Sequence, residues 1–258
     1  VQDYLIEEVL LQQNPDVQSF LLRSSVLDRL CGALCDEVLE CQGGQGMLEQ
    51  LDQANLFIVP LDTQRRWYRY HHLFAELLRQ RLLQQELVEP LHLRASQWYE
   101  ANGLDVEAFH QATAAKDIPR AMRLIEGNGM PLYFRGLTAP VVQWLSSQPH
   151  AALNAQPNLL VAFAWSLLFS GQPSQLESML LSAEAAIRTA PQELPAMEIK
   201  GQIAALWAWL AVYQNDANAI FTHASRALEM LRPESGPVRT AAHCALGVAQ
   251  MFRGARVE

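Results

Sequence analysis

Apolar residues recur at three- and four-residue intervals from the start of the chain. In Tyr4–Gln13, Leu5, Val9 and Leu10 fall on one face and Glu7, Glu8 and Gln12 on another, the spacing of an amphipathic helix. Asn14 before Pro15 reads as an N-cap followed by a residue whose φ already suits a helix, and the helix it opens carries Val17, Phe20 and Leu21. Ser25 and Asp28 punctuate, Leu30–Leu39 is a further short helix ended by Gly43, Gly44 and Gly46, and Met47–Ala54 is another. The period then changes. Asn55–Leu61 and Arg66–Tyr70 are β-prone and flank the turn-like Asp62-Thr63-Gln64-Arg65, which predicts a β-hairpin. From His72 onward the helical spacing returns at Leu73, Phe74, Leu77, Leu78 and Leu82. Helices, a hairpin and a closing helix describe a winged-helix-like domain over residues 1–88.

Beyond Pro90 the pattern is helical throughout, with stops at Asn102-Gly103, Gly127-Asn128-Gly129, Ser170-Gly171-Gln172 and Asn215-Asp216. Expected helices are Leu91–Ala101, Val106–Ala115, Ile118–Glu126, Pro140–Ser146 capped by Thr138, Asn158–Ser170, Pro173–Ala190, Pro195–Gln214, Ala217–Leu231 and Pro237–Arg253. Pairs in units of roughly 35 to 45 residues are the mark of an α-solenoid. Ala95-x-x-Trp98-Tyr99-x-x-Asn102-Gly103 resembles the first helix of a tetratricopeptide (TPR) repeat. The fold class is therefore mainly α: a winged-helix-like domain with a short hairpin, then a TPR-like α-solenoid over residues 89–258. The last helix has no partner to stack on, so the array is expected to continue beyond Glu258, and the amphipathic start at Val1 suggests a piece of a longer protein.

Composition narrows the function classes. Half of the 258 residues are apolar and 18% are charged, enough for a sizeable core. The net charge is −8 and the pI about 5.4, with no dense basic patch of the kind that binds a phosphate backbone. Arg65, Arg66 and Arg69 read as a solvated face of the hairpin. Lys occurs only at Lys116 and Lys200, an Arg bias associated with high-GC bacterial genomes. Cys31, Cys35 and Cys41 have C-x3-C-x5-C spacing, which matches no common zinc pattern, and Cys31 and Cys35 would share a helix face as buried small apolar residues in a reducing cytoplasm. Leu159–Phe169 is apolar but too short to span a bilayer.

No catalytic motif emerges. Gly43-Gly44-Gln45-Gly46 lacks the GK[ST] ending that places a lysine on terminal phosphates, and neither HExxH nor GxSxG occurs. His71, His72 and Glu76 offer no third ligand at a fixed offset, so no metal site is expected. Trp144, Trp165, Trp207 and Trp209 could line a sugar or aromatic ligand site. Helical core is the simpler reading for them.

Three blocks occurring in order carry a family resemblance: Phe20-Leu21-Leu22-Arg23-Ser24-Ser25-Val26-Leu27-Asp28-Arg29-Leu30, Leu51-Asp52-Gln53-Ala54-Asn55-Leu56-Phe57-Ile58-Val59-Pro60-Leu61-Asp62, and Trp67-Tyr68-Arg69-Tyr70-His71-His72-Leu73-Phe74. They resemble the large ATP-binding transcriptional regulators of the LuxR family, of the maltose-activator type, which belong to the signal-transduction ATPases with numerous domains (STAND). The resemblance covers about the first 130 residues, and beyond them it rests on helical-repeat character. It implies a layout of P-loop nucleotide-binding domain, winged helix, TPR-like sensor and C-terminal helix-turn-helix. This chain would hold the winged helix and the first part of the sensor. Its implied partners are a nucleotide-binding domain on the N-terminal side, an unidentified small-molecule inducer or regulatory protein, and DNA only through the helix-turn-helix. ATP or ADP would be the cofactor of the whole protein and not of this segment, which is expected not to be an enzyme and to be cytoplasmic. In such switch ATPases a winged-helix histidine contacts the phosphates of bound ADP and holds the inactive state. The resemblance puts that role on His71 and leaves His72 to packing or surface. Read from the residues alone, His71 could instead be a helix-cap or core histidine. The rival function is a stand-alone TPR-like interaction scaffold without nucleotide switching.

Overall fold

The computed structural model describes residues 10–84, 87–127, 129–189 and 195–254. Most of the helix expected at Tyr4–Gln13 lies outside the described residues, as does the end of the one expected at Pro173–Ala190. The chain forms two compact units, residues 1–121 and 122–258.

In the first unit the elements are α1 (Pro15–Ser24), α2 (Gly32–Leu39), α3 (Gly44–Gln53), β1 (Ile58–Pro60), β2 (Tyr68–Tyr70), α4 (His72–Leu83), α5 (Glu89–Ala101) and α6 (Asp105–Ala114). The Asn14 side chain accepts from Val17 N at 2.9 Å, and Pro15 fills the first turn, the capping that the sequence signals. β1 and β2 pair antiparallel in the register Ile58↔Tyr70, Val59↔Arg69 and Pro60↔Tyr68. Tyr68 and Tyr70 point into the core while Arg69 is exposed, as the period of two requires.

Two features depart from the expected pattern. Leu30 belongs to no helix: it exchanges two backbone hydrogen bonds of 2.8 Å with Tyr68 and adds a one-residue third strand to the hairpin. A single extended residue has no periodicity to read. The glycine-rich segment, expected as a turn before Met47, instead holds the first turn of α3. Gly43 takes the left-handed conformation at φ 87°, and Gly44 N donates to Asp36 Oδ1 at 2.7 Å. A Cβ on Gly44 would lie 2.9 Å from Gly32 O and 2.8 Å from Asp36 Oδ1, and one on Gly32 would lie 2.8 Å from Gln45 N. These glycines let α2 and α3 touch through their backbones. Gly44→Ala is expected to destabilise the protein by about 1–3 kcal/mol, because backbone cannot yield to an added methyl as a side-chain tip can. A denaturant midpoint equal to wild type would refute the close approach.

Helices α5 and α6 pack on each other, and α5 also lies against α2. They are tied to the winged-helix part by polar bonds to its backbone. Arg94 Nε donates to Val38 O at 2.7 Å and Gln111 Nε2 to Val26 O at 3.2 Å; within the winged-helix part Arg79 Nε of α4 donates to Ser25 O at 2.6 Å. His92 Nδ1 meets Gln111 Oε1 at 2.6 Å, and burial lowers the pKa of this imidazole.

The second unit holds most of α7 (Ile118–Glu126), then α8 (Thr138–Ser146), α9 (His150–Asn154), α10 (Pro157–Phe169), α11 (Leu176–Thr189), α12 (Pro195–Tyr213), α13 (Ala217–Met230) and α14 (Gly236–Gly254). Leu159–Leu168 of α10 is buried on every side, which fits its near-continuous apolar run. Helix α10 packs against α8, α11 and α12. Ala208, Ala211, Ala224, Ala245 and Ala249 close around Ile220, so α12, α13 and α14 approach through small side chains. Helix α9 and the 3-10 turn Leu132–Arg135 are additions to the expected set, and both are too short to show a helical period. Among the described residues no helix is long and apolar enough to cross a membrane.

Candidate functional site

The histidine pair lies where β2 runs into α4. His71 is the residue before the helix. Its backbone is fully used: N–H donates to Phe57 O at 2.7 Å, and the carbonyl accepts from Phe74 N at 3.0 Å and Ala75 N at 2.9 Å. Phe57 holds φ at 52°, a left-handed conformation that is costly for an aromatic residue. Its ring packs on Phe74 at 5.3 Å between centroids, and Tyr70 meets Phe74 edge-on at 6.0 Å. Beneath them the Tyr70 hydroxyl and Ser24 Oγ share a hydrogen bond of 2.7 Å, and burial raises the Tyr70 pKa. A rigid aromatic block thus fixes the His71 backbone.

His71 is the N-cap residue of α4, but its ring makes no capping hydrogen bond and is exposed, so it is not a core histidine. His72 differs. Its Nε2 lies 3.4 Å from Glu76 Oε1, one turn along α4, in a solvated pair. Two residues before His71, on β2, Arg69 is exposed opposite Val59. Phe57 (37% exposed) and Leu73 (54%) add apolar surface. The face therefore offers an imidazole, a guanidinium and the amide end of a twelve-residue helix. Such an array suits an anion.

The four tryptophans do not converge. Trp165 is fully buried between Phe134 and Phe169. Trp207 stacks on His223 and donates to Glu184 Oε1 at 2.9 Å. Trp209 donates to Ala241 O at 3.1 Å, and Trp144 is half-buried on α8. None of them lines the large cavity of the second unit, about 800 Å³, whose walls come from α7, α10, α12, α13 and α14. Nor did the cysteines supply a cluster on a helix face. Cys35 is buried, which raises its pKa, whereas Cys31 precedes α2 and Cys41 is exposed.

Residues 6–90 match the family model of the MalT winged helix domain. The chain is MalT-like. It is 33% identical over 92% of its length to the HTH-type transcriptional regulator MalT of Yersinia pestis (strain Pestoides F), and as similar to that of Yersinia pseudotuberculosis (strain YPIII). It is also 31% identical over 76% of its length to the serine/threonine-protein kinase PknK of Mycobacterium tuberculosis, covering 18% of that kinase. The chain spans about a quarter of the length of the MalT relatives it matches. The likeness to MalT extends well past the winged helix, through helices where the sequence motifs alone had become weak.

Proposed function

We propose that the MalT-like chain is a regulatory segment of a LuxR-type, ATP-dependent transcriptional activator, in which the winged helix reports nucleotide state and the helical region receives an inducer or partner. The observation that carries this reading is the exposed His71 ring, held on a rigid aromatic block within a MalT-type winged helix. The phosphates of ADP are the anion it would recognise. The imidazole would donate to a phosphate oxygen, Arg69 would add positive charge nearby, and the unpaired amides at the start of α4 would favour the same charge. Such a contact regulates only if it is made in one nucleotide state and not in the other. DNA would be read by another part of the regulator, as the acidic balance of this chain supports. A scaffold without nucleotide switching would give the ring no role.

The 258-residue chain contains no GxxxxGK[ST] loop, so on its own it should show no ATP turnover above background, while the full-length regulator should drive transcription only with ATP present. A purified chain that hydrolyses ATP, with a point mutation in it abolishing the activity, would refute the division of labour. Transcription by the full-length protein that is indifferent to ADP and ATP would refute the switch.

A further inference from the structure

Tyr133 lies in the 3-10 turn Leu132–Arg135 and lines the large cavity of the second unit, yet only 5% of its surface is exposed. Its hydroxyl has no hydrogen-bond partner among the described residues. Buried hydroxyls normally find one, because an unpaired polar group away from water costs stability. The Tyr70 hydroxyl has Ser24 Oγ at 2.7 Å, and that of Tyr99 has Arg29 O at 3.4 Å. The Tyr68 hydroxyl also lacks a partner, but it is shut off from solvent, whereas Tyr133 borders an open space of about 800 Å³. Burial, and after it the Glu126 carboxylate, pushes the Tyr133 pKa up. The phenol therefore keeps its proton and is free to donate it.

The rest of the lining is of two kinds. Val161 and Ala162 of α10 and Val238 of α14 are buried, and Met197 of α12 and Met230 of α13 add apolar, adaptable surface. The charged groups need no ligand. Glu126 and Glu234 are exposed and keep their water. Glu198 accepts from Arg232 N at 3.1 Å and from Ser235 Oγ, and Arg232 Nε lies 3.5 Å away, so this carboxylate and the guanidinium beside it are already matched. Tyr133 is thus the buried polar side chain among the lining residues, set against an apolar floor.

We infer that this cavity binds a small, uncharged, largely apolar molecule carrying a carbonyl-type oxygen, with Tyr133 Oη donating to that oxygen and the hydrocarbon part covering Val161, Ala162, Met197 and Met230. The volume suits a drug-sized molecule, and one placed polar group over an apolar lining is the usual make-up of such a site. An anion would face three carboxylates, and a cation would gain little from groups that are solvated or already paired. The inference rests on the reading of the helical region as the receiver of an inducer, and it names the chemical class of ligand for that role.

Titration calorimetry on the full-length regulator would test it with 4-phenyl-2-butanone, the hydrocarbon butylbenzene of similar shape, and the anion 4-phenylbutanoate. The ketone should bind saturably and the anion should not bind. Tyr133→Phe, nearly isosteric, should weaken the ketone by roughly three- to tenfold, the value of one neutral hydrogen bond, and leave butylbenzene unchanged. The same variant should unfold at a denaturant concentration no lower than wild type, because no internal partner is lost. Met230→Trp, which fills the cavity from α13, should abolish binding of both neutral probes. No saturable binding of the ketone up to millimolar concentration, equal ketone affinity in wild type and Tyr133→Phe, or undiminished binding in Met230→Trp would overturn the assignment. So would a destabilised Tyr133→Phe, which would mean that the hydroxyl is already bonded within the fold. Binding is read here without transcription, so absence of binding with an intact nucleotide response removes only this site. Binding without any effect on transcription leaves the site and removes its regulatory role.

Discussion

His71→Ala in the full-length regulator should raise transcription without inducer roughly ten- to a hundredfold. The proposed contact is a charge-assisted hydrogen bond from the imidazole to an ADP phosphate, a class worth about 1.5–3 kcal/mol. It exists only in the resting state, so its whole value enters the resting-to-active ratio. The substitution should do little to stability. The ring is exposed, and the hydrogen bonds that fix this position, to Phe57 O and from Phe74 N and Ala75 N, use the backbone, which alanine keeps. His72→Ala should change inducer-free output far less. It removes a solvated contact with Glu76, and even charged surface pairs contribute at most about 1 kcal/mol. A reporter assay on both variants would decide it, and equal outputs would return the pair to surface chemistry.

The largest effect on stability is expected at Trp165. Its ring is fully buried, 5.1 Å from Phe134 and 5.6 Å from Phe169 between centroids. Trp165→Ala would leave a ring-sized hole in the most apolar helix of the chain and should cost about 3–5 kcal/mol. Trp165→Phe should cost far less. It keeps most of the ring and removes Nε1, a buried donor with no hydrogen-bond partner among the described residues, whose desolvation is unrecovered. Chemical denaturation of the three proteins would test this. A Trp165→Ala variant as stable as wild type would mean that the ring is not a core element.

The sequence made the winged helix legible because its signals are local. The period of two around Ile58 and Tyr70 and the Asn14-Pro15 cap are each decided within a few residues. The bridge from Leu30 to Tyr68 depends on a contact 38 positions away, and the start of α3 at Gly44 depends on Asp36 and Gly32 of a neighbouring helix. No window of sequence contains those partners. At the histidine pair, motif position singled out His71. The left-handed Phe57 that anchors it, and the exposure that frees its ring, required the fold. The cavity of the second unit was illegible for the same reason. Glu126, Val161, Glu198 and Glu234 lie on four separate segments, and each reads alone as an ordinary helical or loop residue. The tryptophans drew attention by residue type, but type does not tell whether separate helices turn their rings toward one another.

The central claim is that His71 distinguishes nucleotide states. Its most direct measurement is the dissociation rate of a fluorescent ADP analogue from the full-length regulator, by stopped flow, for wild type, His71→Ala and His72→Ala. Release should be faster by about tenfold or more in His71→Ala, in line with the loss of one charge-assisted hydrogen bond, and close to wild type in His72→Ala. Identical release from all three proteins would contradict the account.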